Sequence, residues 1–345
     1  MRAWCTTSSV GSLGASRSTN PPCEPTSVTD MSKAYPSRAT ITEVGLRDGL
    51  QMESQFVPTE QKLKLLHALI EAGVRRFEAT SFVSPRAVPQ LADAADLMRQ
   101  VGRSSDVTLA VLAPNAKGIA RALEARADEV IVFISASETH NLKNLNRSRA
   151  RSLDDMREAA DMVRGTGVHL HAAIAVAYGC PFEGEVALEE IERLASAFAE
   201  LGFDGITLGD TTGMATPRLV RQRVEMLQRK LPQLPVTLHF HNTRGIGLVN
   251  VMAGLECGVT SFESSLGGIG GCPFAPGATG NICTEDMVHL LAESGVETGI
   301  DLAALCDVAR DLEQLLGRAL PGQVMHAGPR LRRYAADEAL CAAGS

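Results

Sequence analysis

The chain has 345 residues, 45% of them hydrophobic and 21% charged, an ordinary composition for a globular fold of one large domain or two. A formal charge of −7 without a basic block leaves no nucleic-acid partner expected, and with no apolar run near the ~20 residues that span a bilayer, no membrane partner either. Eight cysteines, scattered without a CxxC pair, suit a reducing compartment.

Residues 1–38 are rich in Ser, Thr and Pro, short of acids and without periodicity. They read as a disordered extension, or as a start placed too early with Met31 the true start. The expected location is cytoplasmic. It becomes an organelle matrix if 1–38 is a transit peptide, against which stand the few arginines and the lack of an amphipathic face. From residue 39 onward, apolar strand-like runs alternate with segments of helical period. Strands are predicted over 41–46, 75–82, 106–113, 129–136, 168–177, 205–211, 236–242 and 261–266. Helices are predicted between them near 59–72, 87–101, 116–125, 153–164, 188–201, 217–230 and 246–257, with 285–294 and 302–316 after the last strand. Thr59-Glu60 and Thr216-Pro217 look like helix starts, and Gly73, Gly102, Gly167, Gly202 and Gly258 sit where helices should stop. The alternation predicts an α/β fold, a (β/α)8 TIM barrel over 39–325 with extra C-terminal helices, then a flexible tail over 326–345. An open doubly wound sheet fits less well, because the usual G-x-G-x-x-G after the first strand is missing.

In such a barrel, chemistry belongs at the carboxyl ends of the strands. Arg47 and Asp48, in Gly45-Leu-Arg-Asp-Gly-Leu-Gln51, follow strand one; Glu78 lies near the end of strand two and Asp210 at the end of strand six. Val236-Thr-Leu-His-Phe-His-Asn242 ends strand seven with His239 and His241 on one face, by period-two alternation. Asn281 closes the glycine-rich loop Leu266-Gly-Gly-Ile-Gly-Gly-Cys-Pro-Phe-Ala-Pro-Gly-Ala-Thr-Gly-Asn281 after strand eight. All fall at one mouth. Asp48, His239, His241 and Asn281 offer nitrogen and oxygen donors without thiolate, which suits Mg²⁺ or Mn²⁺ better than structural zinc, with zinc left open. His169 and His171 share the His-x-His spacing but start strand five, at the wrong end, and are assigned to structure. Arg47 is either a loop salt bridge or an oxyanion stabiliser. A carboxylate inside a strand, such as Glu78 or Asp210, has to be paired or take part in proton chemistry. Cys272 rides on the glycine-rich loop, a composition suited to a lid that delivers a proton donor or acceptor. Cys180, Cys257, Cys283 and Cys306 read as structural.

These segments, together with Glu78-Ala-Thr-Ser-Phe-Val-Ser-Pro85 and Leu208-Gly-Asp-Thr211, resemble those of the 3-hydroxy-3-methylglutaryl-CoA (HMG-CoA) lyase family over about 41–316. The resemblance implies metal-dependent cleavage of an acyl-CoA substrate to acetyl-CoA and acetoacetate, chemistry of the leucine-degradation type. It carries the metal to Asp48, His239, His241 and Asn281, enolate stabilisation to Arg47, and proton exchange to Cys272. Glu78, Asp210 and Glu285 would orient ligands and the reacting hydroxyl, and Asn115 and Lys117 would touch the CoA moiety. A homodimer is also implied. The chain departs from the family pattern with Asn242 and Arg244 after the histidines, and with Leu46 in place of a common proline. Arg244 either alters acyl selectivity, giving a lyase for a related 3-hydroxyacyl-CoA, or is a surface arginine turned away from the mouth. A metal- and CoA-binding barrel without catalysis is the remaining alternative, and intact Arg47, Asp48 and Cys272 count against it.

Overall fold

The computed structural model describes residues 35–271 and 280–333. Cys272, most of the expected N-terminal extension and the end of the C-terminal tail lie outside the described residues. Eight strands close into a barrel: β1 (Thr40–Glu43), β2 (Arg76–Ser81), β3 (Thr108–Leu112), β4 (Glu129–Ser135), β5 (His169–Ala175), β6 (Gly205–Asp210), β7 (Val236–Phe240) and β8 (Ser261–Ser264). Every pairing is parallel and follows chain order, and β8 returns to β1 in the register Thr40↔Ser261 to Glu43↔Ser264. The TIM barrel expected from the alternation is the observed fold.

Helices pack around the strands: α1 (Thr59–Glu71), α2 (Ala94–Gln100), α3 (Ala116–Glu124), α4 (Glu138–Leu145), α5 (Arg149–Val163), α6 (Leu188–Leu201), α7 (Pro217–Lys230) and α8 (Gly247–Glu256). After β8 come α9 (Thr284–Glu293), α10 (Leu302–Leu316) and the short α11 (Val324–Ala327), which runs past the expected start of the tail. Among the described residues no helix is long and apolar enough to cross a membrane.

Period-two alternation divides each strand between two environments. Val130, Val132 and Ile134 of β4, Leu170 and Ile174 of β5, Leu238 and Phe240 of β7 and Phe262 of β8 face outward into the main core beneath the helices. The alternate residues face the barrel interior. On the β3–β4 side these form an apolar cluster, with Ala110, Leu112 and Ile131 packed against Phe133 and Ala173. On the β5–β8 side they are His171, Thr207, His239 and Glu263, all shielded from solvent to a large degree. The barrel is therefore half greasy and half polar inside, and the polar half runs up to the mouth.

Several boundaries differ from expectation for local reasons. The first strand ends at Glu43, and Gly45–Gly49 wind into a π-helical turn in which the amides of Arg47, Asp48 and Gly49 all point at the Val44 carbonyl. The 87–101 helix is split, leaving a 3-10 turn at Pro89–Leu91 and a shorter α2, since Pro89 supplies no amide hydrogen. Pro58 stands at the N-cap position of α1 without a side-chain capping bond; Thr59 is the first helical residue and donates to Asp93 Oδ2 at 2.7 Å instead. Helix α5 starts at Arg149, capped by Ser148, and α4 stands before it as an extra element. Cys257 is partly buried just past α8 and packs against the core, whereas Cys180, Cys283 and Cys306 are buried, and all four are free thiols.

Two glycines give a graded test of this packing. Gly73 has φ +100°, and a Cβ there would collide with the Gly299 carbonyl oxygen, whereas Gly202 has φ +79° with open space around it. Gly73→Ala should cost both backbone strain and overpacking, about 2–4 kcal/mol in a denaturant melt, and Gly202→Ala only the strain, about 1 kcal/mol. Equal losses would contradict the tight approach at Gly73.

Candidate metal centre and active site

The π-helical turn after β1 sets the centre. By folding three amides onto one carbonyl it swings Asp48 inward and leaves Arg47 beside it. Arg47 Nη1 donates to Asp48 Oδ1 at 2.6 Å, and Nη2 is paired with Glu78 Oε2 on β2. Glu78 is thus a charge partner of Arg47, one of the two fates open to it in the sequence. Gln51 Nε2 donates to the same Asp48 oxygen at 3.0 Å. The other oxygen, Oδ2, accepts from Asn281 Nδ2 at 2.8 Å and lies 3.9 Å from His241 Nε2.

His239 and His241 stand at the end of β7 with ring centroids 5.1 Å apart. A β-bridge pairs His241 with Asn281, so the segment after the glycine-rich loop is tied to the strand that carries the histidines. Donor atoms of Asp48, His239 and His241 all lie within 4.8 Å of one another, and the three side chains are buried. Asn281 spends its amide hydrogens on Asp48 Oδ2 and the Ile269 carbonyl, at 2.8 and 3.1 Å, and its buried Oδ1 has no hydrogen-bond partner among the described residues. An unmatched carbonyl oxygen beside a carboxylate and two imidazoles fits a hard divalent cation, which would satisfy it.

Charge follows geometry. Burial alone would raise the Asp48 carboxyl, but the Arg47 guanidinium and the two imidazoles bring it down to about 2, so it is ionised and ready to ligate. Burial disfavours charge on Arg47, yet Glu78 and Asp48 hold it firmly protonated. Burial lifts Glu78 to about 7 despite Arg47. Asp210 ends β6 with Oδ1 accepting from the amides of Met214 and Ala215 at 2.6 and 2.9 Å, while Oδ2 is buried without a partner. Burial lifts it to about 7, so it can hold or release a proton near neutrality. Arg244 is exposed; its Nη1 donates to the carbonyls of Thr212 and Gly213 at 3.0 and 2.7 Å, and its charge acts on Asp210.

Other expected residues lie elsewhere. Asn115 caps α3, its Oδ1 accepting from Gly118 N at 3.0 Å, and Lys117 is exposed on the first turn. Glu285 does not join the Asp48–histidine group. It lies in the first turn of α9, where Oε2 accepts from Gly267 N at 3.0 Å and supports the start of the glycine-rich loop. Glu43, which sequence reasoning passed over, does the same for Leu266 N at 2.8 Å and also holds Gly45 N at 2.7 Å. Glu263 was passed over too: Oε2 lies 2.9 Å from His239 Nδ1. The cost of burying a strand carboxylate, applied to Glu78 and Asp210, would have flagged both. Cys283 is buried at the start of α9 with its thiol pushed up by burial, hence inert.

The sequence profile of the HMGL-like family matches residues 38–312. A hydroxymethylglutaryl-CoA lyase of Bacillus subtilis is 40% identical over 289 residues, 84% of this chain and 97% of the relative. An (R)-citramalyl-CoA lyase of Chloroflexus aurantiacus is 40% identical over 300 residues, 84% of this chain and 95% of the relative. Among solved structures, an HMG-CoA lyase of Acinetobacter baumannii in complex with coenzyme A and 3-methylmalate superposes with a TM-score of 0.83 at 44% identity, over 87% of this chain and 98% of that one.

Burial raises Glu285 from an ordinary 4.5 to about 8. Between those values the folded chain binds this proton and the unfolded chain does not, so its contribution is full below 4.5 and is lost as pH climbs to about 8. Glu285→Gln should therefore flatten the fall of Tm from pH 5 to pH 8. Parallel Tm profiles for the two proteins would show that Glu285 is not held protonated.

Proposed function

This chain belongs to the HMGL-like family, and from that premise we propose that it is a divalent-cation-dependent carbon–carbon lyase cleaving HMG-CoA to acetyl-CoA and acetoacetate. The observation that carries the reading is the buried donor set of Asp48, His239 and His241 with the unmatched Oδ1 of Asn281, placed against a charged arginine. These four side chains would hold the cation, with Mg²⁺ or Mn²⁺ suited to a mixed nitrogen and oxygen set without thiolate, and zinc the alternative. A bound cation supplies Lewis acidity that lowers the pKa of the substrate's tertiary hydroxyl.

The protein's own groups do the rest. Asp210 presents an open Oδ2 at the mouth and, poised near 7, orients the hydroxyl and takes its proton. As that C–O⁻ collapses to a carbonyl, the adjacent carbon–carbon bond breaks and its electron pair enters the acetyl-CoA enolate. Arg47 has both Nη atoms engaged but keeps a buried Nε–H without a partner, a donor available to the enolate oxygen. Glu78 fixes that guanidinium in place. Protonation of the enolate carbon completes acetyl-CoA, and Cys272 is the residue to which the family resemblance gives that proton exchange. Lys117, exposed on the first turn of α3, is available to the CoA phosphates, whereas Asn115 is taken up by its helix cap. Acyl-CoA as substrate is supported by coenzyme A in the A. baumannii relative. Cytoplasmic location belongs to the same proposal and agrees with the free thiols of the described cysteines.

Purified protein with Mn²⁺ should release acetoacetate from HMG-CoA, with kcat/KM above that for citramalyl-CoA; the reverse order would make it a citramalyl-CoA lyase. No turnover of either would leave a binding barrel. Arg47→Gln should lower kcat by about 10²–10³-fold, as for loss of an oxyanion-hole donor, with Mn²⁺ still bound. Asn281→Ala should weaken Mn²⁺ by at least about tenfold; unchanged affinity would remove Asn281 from the ligand set.

A further inference from the structure

We propose that Glu263, Thr207 and His171 form a positioning chain inside the barrel that fixes His239 as the tautomer able to bind a cation; this rests on the reading of Asp48, His239 and His241 as the cation site. The chain crosses four strands. His239 Nδ1 on β7 lies 2.9 Å from Glu263 Oε2 on β8, and Glu263 Oε1 accepts from Thr207 Oγ1 on β6 at 2.8 Å. Thr207 Oγ1 in turn lies 3.0 Å from His171 Nε2 on β5. Beyond it, His171 Nδ1 stands 4.0 Å from Glu129 Oε1, and Glu129 Oε2 is paired with Arg76 Nη2 at 2.7 Å near the barrel base.

Hydrogen-bond direction along this chain is settled by what each group can do. A carboxylate only accepts, so Thr207 must spend its single hydroxyl hydrogen on Glu263. Its oxygen can then only accept from His171, which makes Nε2 of His171 an N–H. On the other side Glu263 accepts from His239, so Nδ1 of His239 carries hydrogen. A neutral imidazole with hydrogen on Nδ1 has its lone pair on Nε2, free to bind an ion. Without a fixed acceptor at Nδ1 the other tautomer, with hydrogen on Nε2, could not ligate. Thr207 and Glu263 are almost fully buried, at 3% and 9% exposure, so water does not compete for these bonds. His171 thus serves His239 across the barrel interior, through two side chains, instead of being a separate structural histidine.

Two measurements on the full chain test this. First, in ¹⁵N-histidine NMR of metal-free protein, at a pH high enough to neutralise imidazoles, His239 should show hydrogen on Nδ1 and none on Nε2. Hydrogen on Nε2 overturns the proposal whether or not any cation binds. Second, Mn²⁺ titrations of metal-stripped protein followed by EPR should show Glu263→Gln binding about 10–100-fold more weakly, because the carboxamide can donate to Nδ1 and favour the wrong tautomer. Thr207→Val should weaken Mn²⁺ severalfold and Thr207→Ser should restore it, a rescue that simple loss of packing would not give. Glu263→Gln and Thr207→Val both binding like the parent would also overturn the proposal. A parent that binds no Mn²⁺, with His239 in the expected tautomer, would instead sink the cation reading and leave the hydrogen-bond chain standing.

Discussion

The inside of a closed barrel holds little water, so a charged side chain pointing into it must find its partner within the protein or in what the protein binds. On the β3–β4 side Ala110, Leu112 and Ile131 fill most of the space, and Glu129 is paired with Arg76. Elsewhere β2, the strands β5–β8 and the turn after β1 aim carboxylates, imidazoles and a guanidinium inward, and nearly every one is matched. Asp48 meets Arg47, Gln51 and Asn281; Glu78 meets Arg47; Glu263 meets His239 and Thr207. What is left over is informative. Among the described residues, the unmatched buried atoms at the mouth include Asn281 Oδ1, Asp210 Oδ2 and Arg47 Nε. The proposed function draws on these three, one for the cation and two for the reacting thioester.

The same constraint explains the support for the glycine-rich loop. Glu43 and Glu285 are buried carboxyls raised to about 7 and about 8 by burial, and each receives a backbone amide from the turn at Leu266–Gly268. Glu43 also receives the Gly45 amide and the Thr284 hydroxyl. It thereby links the π-helical turn that presents Asp48, the loop after β8 and the start of α9. One side chain coordinates three segments that are distant in sequence.

Much of the architecture could be read in the sequence, because outward strand residues such as Val130, Val132 and Ile134 carry a plain apolar signal. His239 and His241 were legible through their shared face, and Asp48 and Asn281 through their place after strands. Helix α4 was missed because its buried face is His140 and Asn141, which leaves no apolar period to detect; Asn141 is instead satisfied by Ser135, Arg147 and Ser152. The π-helical turn depends on Glu43 and Val44 gathering amides, a tertiary arrangement with no local sequence pattern. Glu263 carries the same signal as Glu78, an acid inside a strand, but its partners His239 and Thr207 come only with closure of the barrel. His171 was judged from the end of the strand where it starts, whereas its contact runs sideways across the interior to Thr207.

The account stands on His239 and His241 sharing one ion. Electron spin echo envelope modulation of the Mn²⁺-loaded protein reads that directly, through the nitrogen nuclei bound to the metal. Two coordinated imidazole nitrogens are expected, and each single His→Ala variant should leave one. A spectrum with no coordinated nitrogen, or with only one in the parent protein, would contradict a shared site at the end of β7.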